Sequence, residues 1–437
     1  MAFRNIAKHS TILLGTNGIA MGFSVATLML NIRAIEAAGI GALAVTQSCA
    51  ALFIGFSCLG TQQPVIKLGS GLRENKDSMR SLFATCFKLD QIAAIAGTLA
   101  FGASIVFFGI LGELKETLGW STVFYVLYVF TSGTPACLGV LRLFGKFHLI
   151  GLTHTLSTVL IFAASLLFFI TGASIKTYAA TTGLALVSSN AIIMLAAIRE
   201  LNAQGVTTFR ELIRDSGYSD RKEVAGFIGA TYLAGCIDSA IRHADLVLLN
   251  WHYGSSEAGV YAAMKQVAAG FGKMASPLAT VVFPEVSALA ACQDVCQARR
   301  IFWGLLAGLL AFAGAVALFI GVTGQFWIAR AFGPDLEGNQ FLLMLVFIGT
   351  LLRLTASVLA AFVVAFRSHW VSLKIFGVSA IGYGILSPFL IAYVGGVGAA
   401  TALAIYASAV VIGICFSLRT VLAKLKNTRS ASVAIAS

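Results

Sequence analysis

Apolar runs of about 20 residues follow one another along the whole chain, separated by short polar stretches, and each is long enough to cross a bilayer core of about 30 Å. The pattern predicts twelve membrane-spanning helices. In the first half they cover 11–32, 40–62, 83–110, 118–141, 148–172 and 177–198. In the second half they cover 224–249, 257–284, 301–323, 340–366, 371–393 and 396–418. A membrane β-barrel would instead show short segments of strict alternation. Spans five and six, and spans eleven and twelve, are joined by very short turns and are predicted antiparallel hairpins.

Composition agrees with that solvent. The chain has 437 residues, 58% of them hydrophobic and 11% charged, with a mean hydropathy of +0.89. An ordinary soluble domain is about 25% charged. The N-terminus, "MAFRNIAKHSTILLG", places two positive charges before an apolar run, as a signal peptide does. The run is too long and no small-x-small site closes it, so it is read as a retained first span.

The basic residues set the orientation. With both termini in the cytoplasm, 22 of the 30 Lys and Arg fall on inner segments, from Arg4 and Lys8 to Arg419, Lys424, Lys426 and Arg429. Only Arg33, Lys115, Lys176 and Arg330 fall on outer turns, and the remaining four lie within spans. The net charge of +12 is therefore accounted for by topology anchors near anionic lipid. Nucleic acid is not implied, since no basic cluster carries interleaved aromatics. Eight cysteines are present without a CxxC pair, so neither a disulfide framework nor a zinc site is expected.

Residues 199–223, "RELNAQGVTTFRELIRDSGYSDRKE", divide six spans from six and are read as a cytoplasmic linker with a short amphipathic helix around 207–214. This gives an N-terminal lobe over 1–198, the linker, a C-terminal lobe over 224–418 and a basic cytoplasmic tail over 419–437. The lobes share a pattern. The first half has "EAAGIGALAV" (36–45) and the second "SEAGVYAAMK" (256–265), both reading Ala-Gly-aliphatic-x-Ala where the second span of a half begins. Behind each comes a helix that ends near the cytoplasm with Pro64 or Pro284. Two six-span halves of the same orientation imply pseudo-two-fold symmetry about the membrane normal and a central cleft.

These features resemble the multidrug/oligosaccharidyl-lipid/polysaccharide exporter superfamily, and within it the O-antigen-type flippases. The resemblance rests on Arg33 at the end of span one followed by "AAGIGALAV", on "FSCLGTQQPVIKLGSG" (56–71), on "GVYAAMKQVAAGFGKMASPLATVVFPEVSAL" (259–289), and on the twelve-span layout. It covers the whole chain. One departure is the sequence Ala34-Ile35-Glu36 where the family often has Leu-Gly. The resemblance implies alternating-access movement of a polyprenyl-pyrophosphate-linked oligosaccharide, an O-antigen or exopolysaccharide repeat unit, across a bacterial inner membrane. It also implies work beside a glycan polymerase and chain-length proteins.

Candidate chemistry lies where charge enters the apolar runs. In "CIDSAIRHADLVLL" (236–249), Asp238, Arg242 and Asp245 share a helical face about 60° wide, with His243 turned roughly 100° from Arg242. A charge at the bilayer centre costs at least about 2.5–3.5 kcal/mol, so the stripe is expected to face the bundle interior or a wet cleft. A self-neutralising structural pair is the other reading, since Asp238–Arg242 and Arg242–Asp245 are i,i+4 and i,i+3 neighbours. Counted from the outer turn, Arg242 and Lys265 lie about 12 Å deep, and Asp238 and Arg353 about 18–20 Å deep. With Lys273, the second half thus brings four cations into the membrane interior against Asp238 and Asp245, with Glu285 placed at the cytoplasmic end of span eight and outside the tally.

A cationic surplus in a cleft calls for an anion. Arg grips phosphate through two parallel hydrogen bonds and Lys acts as a point charge. The expected substrate-binding residues are Arg242, Arg353, Lys265 and Lys273, with Asp238 and Asp245 either holding Arg242 or carrying a coupling proton. Lys88 and Asp90 read as a local interfacial pair at the inner end of span three. Pro135, Pro277, Pro284 and Pro388 are candidate kinks, and the glycines of "GFGKM" and "GGVGAA" suit close helix packing. No strand–helix GxGxxG and no Walker sequence occurs, so neither ATP nor a cofactor is expected. A drug antiporter of the same fold and a membrane glycan polymerase or ligase are the competing functions. The first favours acidic sites for its cations, and the second lacks an organised catalytic set here.

Overall fold

The structure is a computed structural model. It describes the backbone of residues 2–436 apart from 73–74, 108–117, 173, 207–210, 213–220, 292–294, 333–337 and 367–368. Side chains are described over the same residues apart from 2–17, 36, 107, 221–223, 227, 230, 271–281, 283–285, 287–291, 295–296, 331–332, 369 and 421–436. Most of the amphipathic helix expected around 207–214 lies outside the described residues.

Among the described residues the chain is helical from end to end, as its apolar runs require. A backbone in hydrocarbon must satisfy its own polar groups, and a helix does so within one segment. The helices are α1 (Ala2–Ser57), α2 (Gln62–Gly71), α3 (Lys76–Phe107), α4 (Thr122–Phe130), α5 (Pro135–Leu143), α6 (Phe147–Thr171), α7 (Ile175–Ala203), α8 (Arg221–Ala291), α9 (Val295–Phe332), α10 (Gln340–Phe366) and α11 (His369–Ala436).

Nine stretches of the described residues are long and apolar enough to cross a membrane, and the bent pair Gly119–Phe130 and Pro135–Leu143 makes a tenth. Two of these, Val224–Gly270 and Trp370–Thr420, are divided by non-helical glycines at Gly254 and Gly395. With that division the described residues are roughly consistent with the twelve expected spans. The chain is a multi-pass membrane protein.

Three boundaries differ from expectation in instructive ways. The turn expected between spans one and two carries helical backbone throughout, within α1. Span four is broken at Thr131–Thr134 and bends by 50° there. Pro135, the first residue of α5, cannot donate to the preceding turn. Span two breaks at Cys58–Thr61, where Gly60 has φ +68°, a conformation that costs glycine little.

Two compact units form, Met1–Ala262 and Ala263–Ser437. In the first, α1 packs on α6, α6 on α7 and α2 on α5. A core of Leu82, Phe83, Cys86, Cys137, Val140 and Leu201 joins α3, α5 and α7. The expected hairpin of spans five and six is the α6–α7 pair. It turns at Gly172, in the left-handed conformation, and at Ser174, whose hydroxyl caps the Thr177 amide. In the second unit α10 packs on α11 and on α9. The hairpin of spans eleven and twelve turns at Gly395, φ +62°, so tightly that a Cβ on Gly398 would collide with the Leu390 carbonyl oxygen.

Candidate functional site

The expected stripe on α8 resolves into two environments. Arg242 Nε donates to Asp238 Oδ2 at 2.7 Å, and each side chain is 51% exposed. Asp245 is instead fully buried and accepts the Tyr261 hydroxyl at 2.7 Å, with its other oxygen on the Leu246 amide at 2.8 Å. Three residues that share a 60° face on a helical wheel are therefore not one wall. The Gly254 break turns the chain back, brings Tyr261 over Asp245 and buries that carboxylate. The Asp238–Arg242 pair stays open.

That pair sits on a segment held by α1. Ser239, next to Asp238, donates its hydroxyl to the Ala51 carbonyl at 3.2 Å. Gly55 of α1 leaves room for the Ser239 side chain, because a Cβ on Gly55 would collide with it. Further along, Gly60 packs on Thr231, whose Cβ would stand 3.0 Å from a Cβ at Gly60. The same two helical regions cross again near the expected outer turns. A Cβ on Gly41 would collide with the Ser255 carbonyl oxygen, and a Cβ on Gly259 with the Ala37 carbonyl oxygen.

Lys265 and Arg353 belong to the second unit and are half-buried, Lys265 on α8 and Arg353 on α10. The Lys273 side chain lies outside the described residues.

Asp90 is the residue whose role sequence reasoning misread. It is not an interfacial partner of Lys88. It is 2% exposed and accepts the Thr61 hydroxyl at 2.6 and 2.8 Å and the Ala136 amide at 2.8 Å. Its neighbour Gln91 donates to the Gly133 carbonyl at 2.7 Å. Two consecutive residues of α3 thereby hold both helix breaks, one at Cys58–Thr61 and one at Thr131–Thr134. The signal was present in the sequence: polar, Gly- and Pro-containing interruptions, "LGTQQP" and "TSGTP", fall inside two apolar runs.

A second polar group inside the first unit is neutral. Asn31 Nδ2 and the Ser165 hydroxyl both donate to the Tyr178 hydroxyl, at 2.7 and 2.9 Å. Tyr125 and Thr182 share a hydrogen bond of 3.0 Å. Two buried oxygens of α1, Thr27 Oγ1 and Asn31 Oδ1, have no partner among the described residues. A groove of about 450 Å³ between α6 and α7, lined by Leu160, Leu167, Tyr178 and Leu184 among others, contains none of the expected binding residues. Among the described residues no group of three or more His, Cys, Asp or Glu is placed to hold a metal ion.

No protein-family model matches the chain, and no curated protein matches it in sequence. Solved structures do match in fold. A multidrug resistance MATE family transporter of the MOP superfamily, in an inward-facing conformation, superposes with a TM-score of 0.68 at 14% identity, over 96% of this chain and 99% of that one. A point mutant of the Vibrio cholerae MATE transporter VcmN gives a TM-score of 0.61 at 14% identity, over 95% and 98% of the two chains. A MOP superfamily transporter from Pyrococcus furiosus, described by a binding pocket of reversed polarity that suggests a different function, gives 0.61 at 15% identity over 96% and 97%. Nearly complete coverage of both partners extends the likeness along almost the whole chain, which has the fold of these transporters.

Proposed function

We propose that this protein is a transporter that moves a polyprenyl-pyrophosphate-linked oligosaccharide, an O-antigen or exopolysaccharide repeat unit, across the bacterial inner membrane by alternating access. The observation that carries the reading is the open Asp238–Arg242 pair. It lies about 18–24 Å along the helix from the Gly254 break, on a stretch long and apolar enough to cross a membrane, with both side chains half exposed. Charge at that depth is costly against acyl chains and suits a wet cleft. Arg242, Arg353, Lys265 and Lys273 are the binding residues of this proposal, and Asp238 orients Arg242 for a pyrophosphate. The surplus of cations over carboxylates on these spans favours an anionic head group. The reversed pocket polarity described for the Pyrococcus furiosus transporter is a precedent in this fold for cargo of another charge.

The test uses a host that depends on the protein for its surface glycan. Arg242→Ala together with Lys265→Ala is expected to stop glycan export while the protein remains in the membrane, with lipid-linked repeat units accumulating on the inner leaflet. Normal export by that double variant overturns the anionic-cargo reading. The multidrug reading is favoured by the description of the MATE neighbours. It requires instead that expression raise resistance of a drug-sensitive host to organic cations, with glycan export indifferent to Arg242.

A further inference from the structure

Asp90 is a carboxylate inside a membrane-spanning helix, buried to 2% exposure, with no cation paired to it among the described residues. Such a group is expensive to keep and marks ion or proton pathways in membrane proteins. Its surroundings are those of a coupling site. It sits where two other helices are discontinuous, and discontinuous helices are where transporters place their coupling ions.

From these observations we infer that Asp90 is a proton-binding site, and that its protonation releases the two helix breaks it holds. The inference rests on the transporter reading above but not on the nature of the cargo. The ionised form fits the geometry. Both partners, the Thr61 hydroxyl and the Ala136 amide, are donors that point to the carboxylate. Ala136 is the second residue of the nine-residue helix α5, so the negative charge also faces the positive end of a helix dipole. A proton arriving from water forms an O–H bond on one carboxyl oxygen. That oxygen becomes a donor and a weaker acceptor, the charge–dipole attraction disappears, and the pin between the Cys58–Thr61 break and the start of α5 is loosened.

Among the described residues, the titratable groups that face Asp90 from the elements around it are thiols: Cys58 after α1, Cys86 on its own helix and Cys137 on α5. None supplies a competing charge while protonated. Its near neighbour in sequence, Lys88, is half-buried on the same helix and is not among the groups that hold it. The break has a mechanical reader. Gly60, within it, packs on Thr231, two turns before the Asp238–Arg242 pair on the same helix. A change at Asp90 thus reaches the segment that carries the candidate binding pair through one packed contact.

The experiment uses the full chain in lipid nanodiscs and needs no cargo. Infrared difference spectra are recorded on acidification from about pH 8 to pH 4, spanning the range in which carboxylates in proteins titrate. Wild type is expected to gain a carbonyl-stretch band of a buried carboxylic acid, and Asp90→Asn to lack it. Thr61→Val keeps the acid and covers the case in which Asp90→Asn fails to fold. Its band is expected at a displaced frequency, because the carboxyl has lost its hydroxyl partner. In parallel, hydrogen exchange over residues 131–140, corrected for intrinsic rate, is expected to lose protection on acidification in wild type. In Asp90→Asn, protection is expected to be low at every pH. An identical band in wild type and Asp90→Asn, an unshifted band in Thr61→Val, or protection that ignores pH overturns the proton site. Sodium-dependent protection at constant pH overturns it in favour of a metal cation. Each of these failures leaves the anionic-cargo proposal standing, since no readout involves Arg242 or export.

Discussion

Gly41 and Gly259 occupy each other's missing side chain. A Cβ placed on Gly41 would meet the Gly259 amide nitrogen at 2.9 Å, and a Cβ placed on Gly259 would meet the Gly41 nitrogen at the same 2.9 Å. Each would also collide with a carbonyl oxygen four residues before the other glycine, Ser255 in one case and Ala37 in the other. Reciprocity of this kind is what a local two-fold axis between two helices produces. Close backbone approach across small residues is a common way for helices to associate where hydrocarbon supplies no hydrophobic drive.

Gly41→Ala or Gly259→Ala must push two backbones apart, because the colliding atoms are carbonyl oxygens and not the ends of flexible side chains. Either variant is expected to lose about 1–3 kcal/mol, the range for overpacking a close contact. A thermal melt of the purified protein in detergent measures this as a lowered Tm. Gly382→Ala is the control. It is a helical glycine with nothing within 4 Å of its added Cβ, and it is expected to melt at the wild-type temperature or slightly above, since Ala is the better helix former.

The same pair marks what the chain disclosed beforehand. The repeated Ala-Gly-aliphatic-x-Ala string is legible, and so is its place at the start of the second span in each half. Its register is not. The sequence match aligns Gly39 with Gly259, whereas the structure pairs Gly41 with Gly259 and packs Gly39 against Ile175. The spans themselves are legible because lipid demands long apolar runs, and the Gly254 and Gly395 breaks fall where the turns were expected. Angular position on a single helix does not foretell burial, since Asp245 is buried by Tyr261 from beyond the Gly254 break. Asp90 was misplaced for a similar reason. Counting from the end of an apolar run fixes a depth, but the partners that bury Asp90 come from breaks in two other helices.

Tyr261 donates to Asp245 at zero exposure for both residues. Removing the hydroxyl takes one donor away from a buried carboxylate, which costs about 1–3 kcal/mol. Tyr261→Phe is therefore expected to melt well below wild type. Replacing both partners by apolar groups removes the buried carboxylate together with its donor, so Tyr261→Phe with Asp245→Leu is expected to lose less than the sum of the two single variants. A double-mutant cycle on Tm checks it. Additive losses in the double variant would remove the Tyr261–Asp245 bond as a source of stability.

Asp238 is predicted to behave in the opposite manner. Its ion pair with Arg242 is half exposed, and exposed pairs are worth about 0.2–1 kcal/mol. Asp238→Asn is expected to melt within about 1 kcal/mol of wild type by that measure, and on the proposed anionic-cargo reading glycan export falls, because Arg242 is no longer aimed. Chemical denaturation and export assays on the same variant separate the two effects. A large stability loss with export per folded molecule unchanged would make Asp238 a structural residue.

Arg242 itself offers a finer test of cargo chemistry than its removal. Lys at that position keeps the positive charge but presents an ammonium in place of a planar fork of donors. It also loses the Nε hydrogen that reaches Asp238 at 2.7 Å. If the head group is a pyrophosphate gripped through paired oxygens, Arg242→Lys is expected to fall between wild type and Arg242→Ala in export. The loss should be about tenfold or more, the equivalent of one charge-assisted hydrogen bond of roughly 1.5–3 kcal/mol. Export rates measured at equal membrane abundance decide the matter. Wild-type export by Arg242→Lys would mean that the site reads charge alone, and paired recognition of phosphate oxygens would have to come from Arg353.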